Sequence, residues 1–133
     1  MYLRNFLYCF LITMPLLFTF CESSPYKQGE ALYNYYCANC HMEDGSGLAG
    51  LIPPLAKADF VKNNPSLLPC IIRYGMEGEV VVNDTVYNQP MTGIPEITDF
   101  EITNIINYIY HTWGNGEHYA KLEAVKQSLD NCR

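Results

Sequence analysis

Cys37-Ala38-Asn39-Cys40-His41 is the stretch on which the reading of this 133-residue chain turns. Its pattern, C-x-x-C-H, is the one in which two thiols add across the two vinyl groups of a haem while the adjacent histidine ligates the iron. Two residues between the cysteines let both sulfurs reach one edge of a flat macrocycle, and the next residue then falls beneath the metal. Two other chemistries use this cysteine spacing. A zinc site wants a second pair of nearby ligands, and a thioredoxin-like dithiol sits at the end of a strand in a βαβ pattern. The flanking sequence shows neither context. Cys37 and Cys40 are therefore read as the attachment points of one covalent haem c, and His41 as an iron ligand.

Upstream, Ser24-Pro25 supply a helix N-cap followed by proline at the first helical position, and no further proline interrupts the run to Tyr36. This predicts a first helix whose last turn delivers Cys37, with Leu32, Tyr33, Tyr35 and Tyr36 mostly in the core. The first twenty residues are a separate object. Arg4 gives a positive start, and Phe6 to Phe20 is an almost uninterrupted apolar run. At about fifteen residues it falls short of the roughly twenty needed to span a bilayer. Residues 1–20 are read as a secretory signal, with a retained anchor as the alternative because no A-x-A-like cleavage site is evident. Cys21, followed by Glu22-Ser23-Ser24, has the arrangement of an acylated bacterial lipoprotein cysteine, although Phe18-Thr19-Phe20 departs from the small residues usual before it. Lipid on Cys21 would tether the protein to a membrane.

Of the 6 cysteines, Cys9 and Cys21 lie in or at the border of the leader and two belong to the C-x-x-C-H. Cys70 and Cys132 remain, an even pair in an exported chain. They are expected to form a disulfide tying the tail to the middle of the domain, two unpaired thiols being the alternative. The formal net charge is −6, with 14 acidic residues, all beyond the leader, against 8 basic ones that include Arg4. Without a basic stripe, nucleic acid is not an expected partner.

Downstream, Asp44-Gly45-Ser46-Gly47 and Gly50 make a loop that Pro53-Pro54-Leu55 closes as an extended segment. A histidine ligand needs an acceptor for its outer ring nitrogen, and a proline carbonyl here would supply one. A short helical turn over Phe60 to Asn63 precedes a helix capped by Asn64 or Ser66 and carrying Leu67, Leu68, Ile71 and Ile72, with Pro69 confined to its first turn. Gly75 and Gly78 end it. Val80-Val81-Val82, Asn83-Asp84 and Thr85-Val86-Tyr87 read as a β-hairpin, which must lean on something to be stable. Tyr87 to Pro95 reads as irregular around a lone Met91. Thr98 and Glu101 then form a capping box, with Ile97 and Ile102 as a hydrophobic staple, for a helix presenting Ile102, Ile105, Ile106, Ile109 and Trp113 on one face. Gly114 and Gly116 end that helix, and another is predicted over about Tyr119 to Leu129 on the surface.

A helix ending in C-x-x-C-H, a proline-containing loop, a methionine loop and an aromatic-bearing C-terminal helix, in that order over about Tyr26 to Trp113, resemble the class I c-type cytochromes. The hairpin ahead of the methionine looks like bacterial members that accompany periplasmic oxidoreductases and oxidases. The resemblance implies an all-α fold with a small β-hairpin: residues 24–116 as the cytochrome domain and residues 117–133 as a C-terminal helical extension. It also places Gly29 and Tyr33 where the first helix crosses the last, facing Ile105, Tyr108 and Ile109. Pro53 matches the proline whose carbonyl receives the His41 hydrogen bond, and Arg73 resembles a basic residue near the haem propionates. Met91 matches the sixth ligand, although Thr92 stands where proline is common; Met76 is the reserve. Met42 is tied to the His41 side, and His111 and His118 read as surface or tail residues.

These implications describe a periplasmic, non-catalytic, monomeric one-electron carrier. It would pass electrons between redox proteins, such as a quinol-oxidising complex and a terminal oxidase or reductase, through an exposed haem edge and a small transient interface. Two alternatives stand beside it: a haem subunit docked permanently to one oxidoreductase, and a haem-based sensor or peroxidase-like protein.

Overall fold

The computed structural model describes residues 26–132. The leader, the cleavage or acylation point at Cys21 and the Ser24-Pro25 cap lie outside the described residues. Six helices and four short strands follow in order: α1 (Lys27–Tyr36), α2 (Ala38–His41), α3 (Asp59–Asn63), α4 (Leu68–Tyr74), β1 (Gly75–Met76), β2 (Val80–Val82), β3 (Thr85–Tyr87), β4 (Met91–Thr92), α5 (Asp99–Thr112) and α6 (Leu122–Asp130). The domain is mostly helical with two small antiparallel strand pairs. Among the described residues no helix is long and apolar enough to cross a membrane.

The frame is the crossing of α1 on α5. Gly29 sits at the crossing, where an added Cβ would meet the Asn104 carbonyl and come within 2.8 Å of the Tyr108 Cβ. A glycine inside a helix costs about 1 kcal/mol relative to alanine, and here it permits backbone contact that no other residue allows. Tyr33, one turn on, is fully buried against Tyr108 and Trp113, with ring centroids at 5.4 and 5.0 Å. The expected burial of Tyr35 is corrected: it is 75% exposed. At 100° per residue it points away from the face shared by Gly29 and Tyr33.

Helix α5 starts as the sequence reading requires. The Thr98 hydroxyl accepts from the Glu101 N–H while the Glu101 carboxylate accepts from the Thr98 N–H at 2.8 Å. Ile97 and Ile102 are both buried, and Ile102, Ile105, Ile106 and Ile109 form the centre of the core. Tyr110 reaches sideways to donate to the Val61 carbonyl at 2.6 Å and so fixes α3.

Helix α4 differs from expectation at its start. Leu67 is the N-cap and no side chain caps it; the Asn64 amide instead donates back to the Phe60 carbonyl at the end of α3. Helix α6 begins three residues later than predicted. Asn107 holds both the N–H and the carbonyl of Ala120 (2.8 and 3.0 Å), so that residue's backbone groups are not free for a helix. Cys70 of α4 and Cys132 beyond α6 are joined in a disulfide with their Cα atoms 5.6 Å apart.

The hairpin has the register Val80↔Tyr87, Val81↔Val86 and Val82↔Thr85. Asn83 and Asp84 both take positive φ, 50° and 60°, the backbone of a type I′ turn, which Asn and Asp tolerate. Asp59 and Asn83 exchange hydrogen bonds, each side chain accepting from the other's N–H. The hairpin tip thereby caps α3. The second strand pair is absent from the sequence reading: β1 lies antiparallel to β4, with Gly75 opposite Thr92 and Met76 opposite Met91.

Candidate cofactor site

Helices α1 and α2, the Pro53 loop, α4, the hairpin, β4 and α5 enclose a cavity of about 530 Å³, inside the size range of cofactor pockets. Its lining is dominated by Ile, Leu, Val, Phe and Pro, and no lining residue carries a formal charge. Cys37, Cys40 and His41 lie on this wall, and so do Met76 and Met91. One apolar hollow therefore gathers two thiols, an imidazole and two thioethers, the donor set that a covalently held haem iron uses. Among the described residues no group of three or more His, Cys, Asp or Glu side chains gathers around a point, so the second ligand pair of a zinc site is not assembled.

The local sequence explains how the histidine is presented. Helix α1 ends at Tyr36 and the chain turns at Cys37, whose N–H donates to the Tyr33 carbonyl before α2 resumes with Ala38. Cys37 is buried and Cys40 exposed. Burial, and secondarily Cys40, pushes the Cys37 thiol up to about 12, so it stays a protonated thiol. His41 is buried, and burial holds its imidazole below the ordinary histidine value, against the opposing pull of the Pro53 hydrogen bond.

His41 Nδ1 lies 3.0 Å from the Pro53 carbonyl oxygen. An acceptor there requires the proton on Nδ1, which leaves the lone pair on Nε2 for a metal. Gly47 makes room for this contact. Its φ is +67°, and a Cβ at that position would run into the Ile52 and Pro53 carbonyls. The Gly47 N–H donates to the His41 carbonyl at 3.0 Å. The sequence reading took Gly47 as loop flexibility; the close approach of two backbones was its real signal.

Two further residues escaped that reading. The Tyr33 hydroxyl donates to the Met42 carbonyl at 2.7 Å, pinning the residue after His41; burial, more than the nearby Cys37, Tyr108 and Asp44, raises the phenol so that it remains a donor. Asn115 is buried beyond the end of α5. Its Nδ2 donates to the carbonyls of Leu55 (2.8 Å) and Ile109 (2.9 Å), and its Oδ1 accepts from the Ala58 N–H (2.9 Å). That hub anchors both ends of the segment that follows Pro53. A buried side chain satisfying three backbone groups on distant elements leaves no periodic trace in a sequence.

Met91 is half-buried on β4 and Met76 half-buried on β1. Their ladder is locked by two glycines. A Cβ on Gly93 would come within 2.5 Å of the Gly75 nitrogen and 2.6 Å of the Arg73 carbonyl, and one on Gly75 within 2.8 Å of the Gly93 nitrogen. Ile94 N–H continues the contact to the Ile72 carbonyl at 3.0 Å.

Arg73 is not brought to the cavity wall. Its guanidinium donates to Asp99 at 2.7 Å, joining the end of α4 to the start of α5, and its buried Nε has no hydrogen-bond partner. The polar lining residues are Tyr36, Asn39, Gln89 and Thr92. His111 and His118 lie away from the wall and are exposed; His111 stacks on Tyr26 at 4.5 Å and His118 packs against Tyr110 at 5.0 Å.

Comparison with known proteins gives the same family for this arrangement. The cytochrome c family model matches residues 26–113. The chain is 32% identical over 85 residues to cytochrome c-552 of Thermus thermophilus, covering 61% of this chain and 65% of that protein. It is 31% identical over 103 residues to the fructose dehydrogenase cytochrome subunit of Gluconobacter japonicus, covering 74% of this chain and 21% of that one. With the alcohol dehydrogenase (quinone) cytochrome c subunit of Gluconobacter oxydans the identity is 31% over 90 residues, 65% of this chain and 18% of the relative. The chain thus spans less than two thirds of the length of these relatives.

Proposed function

The chain belongs to the cytochrome c family, as a class I c-type cytochrome, and from that premise we propose that it is a one-electron carrier in which His41 and Met91 ligate a single haem c from opposite faces. The observation that carries this reading is the convergence of Cys37, Cys40, His41 and Met91 on one uncharged cavity of about 530 Å³. The haem, when bound, supplies a one-electron iron couple. Cys37 and Cys40 fix one edge of the ring. Pro53 holds the His41 tautomer, and Met91 closes the opposite face. The apolar wall and the thioether both favour the reduced, less charged iron, and so raise the potential relative to a solvated bis-histidine site. With both axial positions filled by side chains, outer-sphere electron transfer is the chemistry these residues favour. Arg73, held by Asp99, takes no part in this proposal.

The carrier is placed in the periplasm, after removal or acylation of a leader over residues 1–20. Residues 24–116 form the cytochrome domain and residues 117–133 an extension. It would pass electrons between respiratory partners such as a quinol-oxidising complex and a terminal oxidase or reductase. A second reading has a specific support: two of the similar proteins are cytochrome subunits of dehydrogenases. On that reading the domain is docked permanently to one oxidoreductase.

The test of the ligand set uses protein matured with haem and labelled with ¹³C at the methionine methyls. In the ferrous state the ring current shifts the ligating methyl far upfield. Loss or displacement of that resonance in Met91→Leu, with no change in Met76→Leu, is the expected result. A resonance that keeps its position in Met91→Leu overturns the assignment.

A further inference from the structure

The β1–β4 ladder places two methionines directly opposite each other, Met76↔Met91, and both line the cofactor cavity. Residues opposite one another in an antiparallel pair project to the same face with Cβ atoms about 5 Å apart. A methionine side chain has three rotatable bonds and a soft sulfur donor, so both thioethers can reach the same region. The backbone restricts Met91 more than Met76. Met91 follows Pro90, and Gly93 is wedged against the Tyr74–Gly75 backbone. Met76 is followed by exposed Glu77 and by Gly78, whose Cα faces open space at a φ of +87°. The segment carrying Met76 therefore has room to adjust where the segment carrying Met91 does not. Neither thioether needs hydrogen bonds to act as a donor, so no other group must rearrange for one to replace the other.

We propose that Met76 is a second axial donor for the iron, taking the position opposite His41 whenever Met91 is withdrawn. This rests on the assignment of Met91 as resident ligand. The chain then carries two thioethers for one coordination site, and loss of the first leaves the iron six-coordinate instead of opening it to small ligands.

The test compares holoprotein carrying Met91→Leu, Met76→Leu or both changes, with covalent haem content checked by the pyridine haemochrome and folding by far-ultraviolet circular dichroism. Leucine preserves volume and apolarity, which keeps the variants folded; Met91→Ala serves as a second form of the same deletion. Three readouts are taken: the far-red sulfur-to-iron charge-transfer band of the oxidised protein, the ferrous methionine methyl resonance, and carbon monoxide binding. The expected result is that Met91→Leu remains low-spin with a displaced band and a new upfield methyl, and resists carbon monoxide. Only the double variant becomes high-spin and binds it readily. If Met91→Leu alone is high-spin, or is low-spin without the band, Met76 is not a reserve donor while the Met91 assignment stands. If Met76→Leu alone loses the band and Met91→Leu is unchanged, the Met91 assignment has failed, and the reserve role with it.

Discussion

On the histidine side of the cavity, side chains from separate elements reach backbone carbonyls. Tyr33 of α1 holds Met42, Asn115 beyond α5 holds Leu55 and Ala58, and the Pro53 carbonyl faces His41. On the methionine side the holding devices are backbone pairing and covalency: the two-residue β1–β4 ladder, the glycines wedged into each other's backbone, and a disulfide that fastens α4, the helix leading into β1, to the tail. The difference follows from chain order. Cys37, Cys40 and His41 are consecutive in one helical turn and need only local orientation. Met76 and Met91 come together from either side of a hairpin, so the chain must be closed before they face the cavity. Stability on the first side resides in many small, separable contacts, and on the second in a few that act together.

The largest expected effect comes from opening the closure on the methionine side. The disulfide spans a sequence separation of 62, and in the chain-entropy account its removal costs about 4 kcal/mol. The double variant Cys70→Ser with Cys132→Ser should lower the denaturant midpoint accordingly. Monitored through the methionine charge-transfer band, it should also lose the thioether at a lower denaturant concentration than it loses helix signal. Coincident loss by both probes would break the comparison, because it would mean that α4 and the histidine side unfold as one unit.

Asn115→Ala strikes the other side. It leaves the carbonyls of Leu55 and Ile109 and the Ala58 N–H without their buried partner, for a loss of about 3 kcal/mol. Because the perturbed segment carries Pro53, the expected spectroscopic consequence is confined to histidine. In the paramagnetic ferric protein the His41 ring resonances should move while the ferrous methionine methyl keeps its shift. A methyl that moves as much as the histidine protons would show that the two walls are mechanically one.

The unequal legibility of the two sides in the sequence has the same origin. The C-x-x-C-H, the Thr98–Glu101 box, the isoleucine face of α5 and the Asn83-Asp84 turn are short-range patterns, each carrying its own physical reason within a few residues. Helix α5 and the hairpin accordingly stand at the expected positions. The β1–β4 ladder is two residues long and joins positions 75–76 to 91–92. No period can be read from two residues, so a segment with two prolines and a glycine looked irregular. Asn64 at the end of α3 and Asn107 holding Ala120 displaced helix starts for a related reason. An asparagine announces a cap or a turn, but which backbone it serves is settled only by packing. Arg73 shows the limit for charges: a cation at a helix end fits several acidic partners, and the one it meets here is Asp99.

The smallest expected effect lies at the junction of the two sides. The capping box starts α5, whose isoleucines line the cavity, and it also ends the segment that carries Met91. Thr98→Ala should cost about 1 kcal/mol. The Glu101 half of the box makes that cost depend on pH. The Thr98 N–H, and then its hydroxyl, hold the Glu101 carboxyl below the usual glutamate value. A carboxylate whose folded value is depressed contributes stability that is present above its unfolded value, about 4.3, and is lost as pH falls through the folded one. Glu101→Gln should therefore be less stable than wild type near neutrality, and the gap should close in acid as the wild-type carboxyl takes up its proton. Thermal melts of the two proteins across that range measure the gap directly. If it closes without any change in the methionine band, the cap acts on α5 alone; a band that weakens in step with protonation would mean that the segment from Met91 to Thr98 depends on its downstream anchor as much as on the ladder behind it.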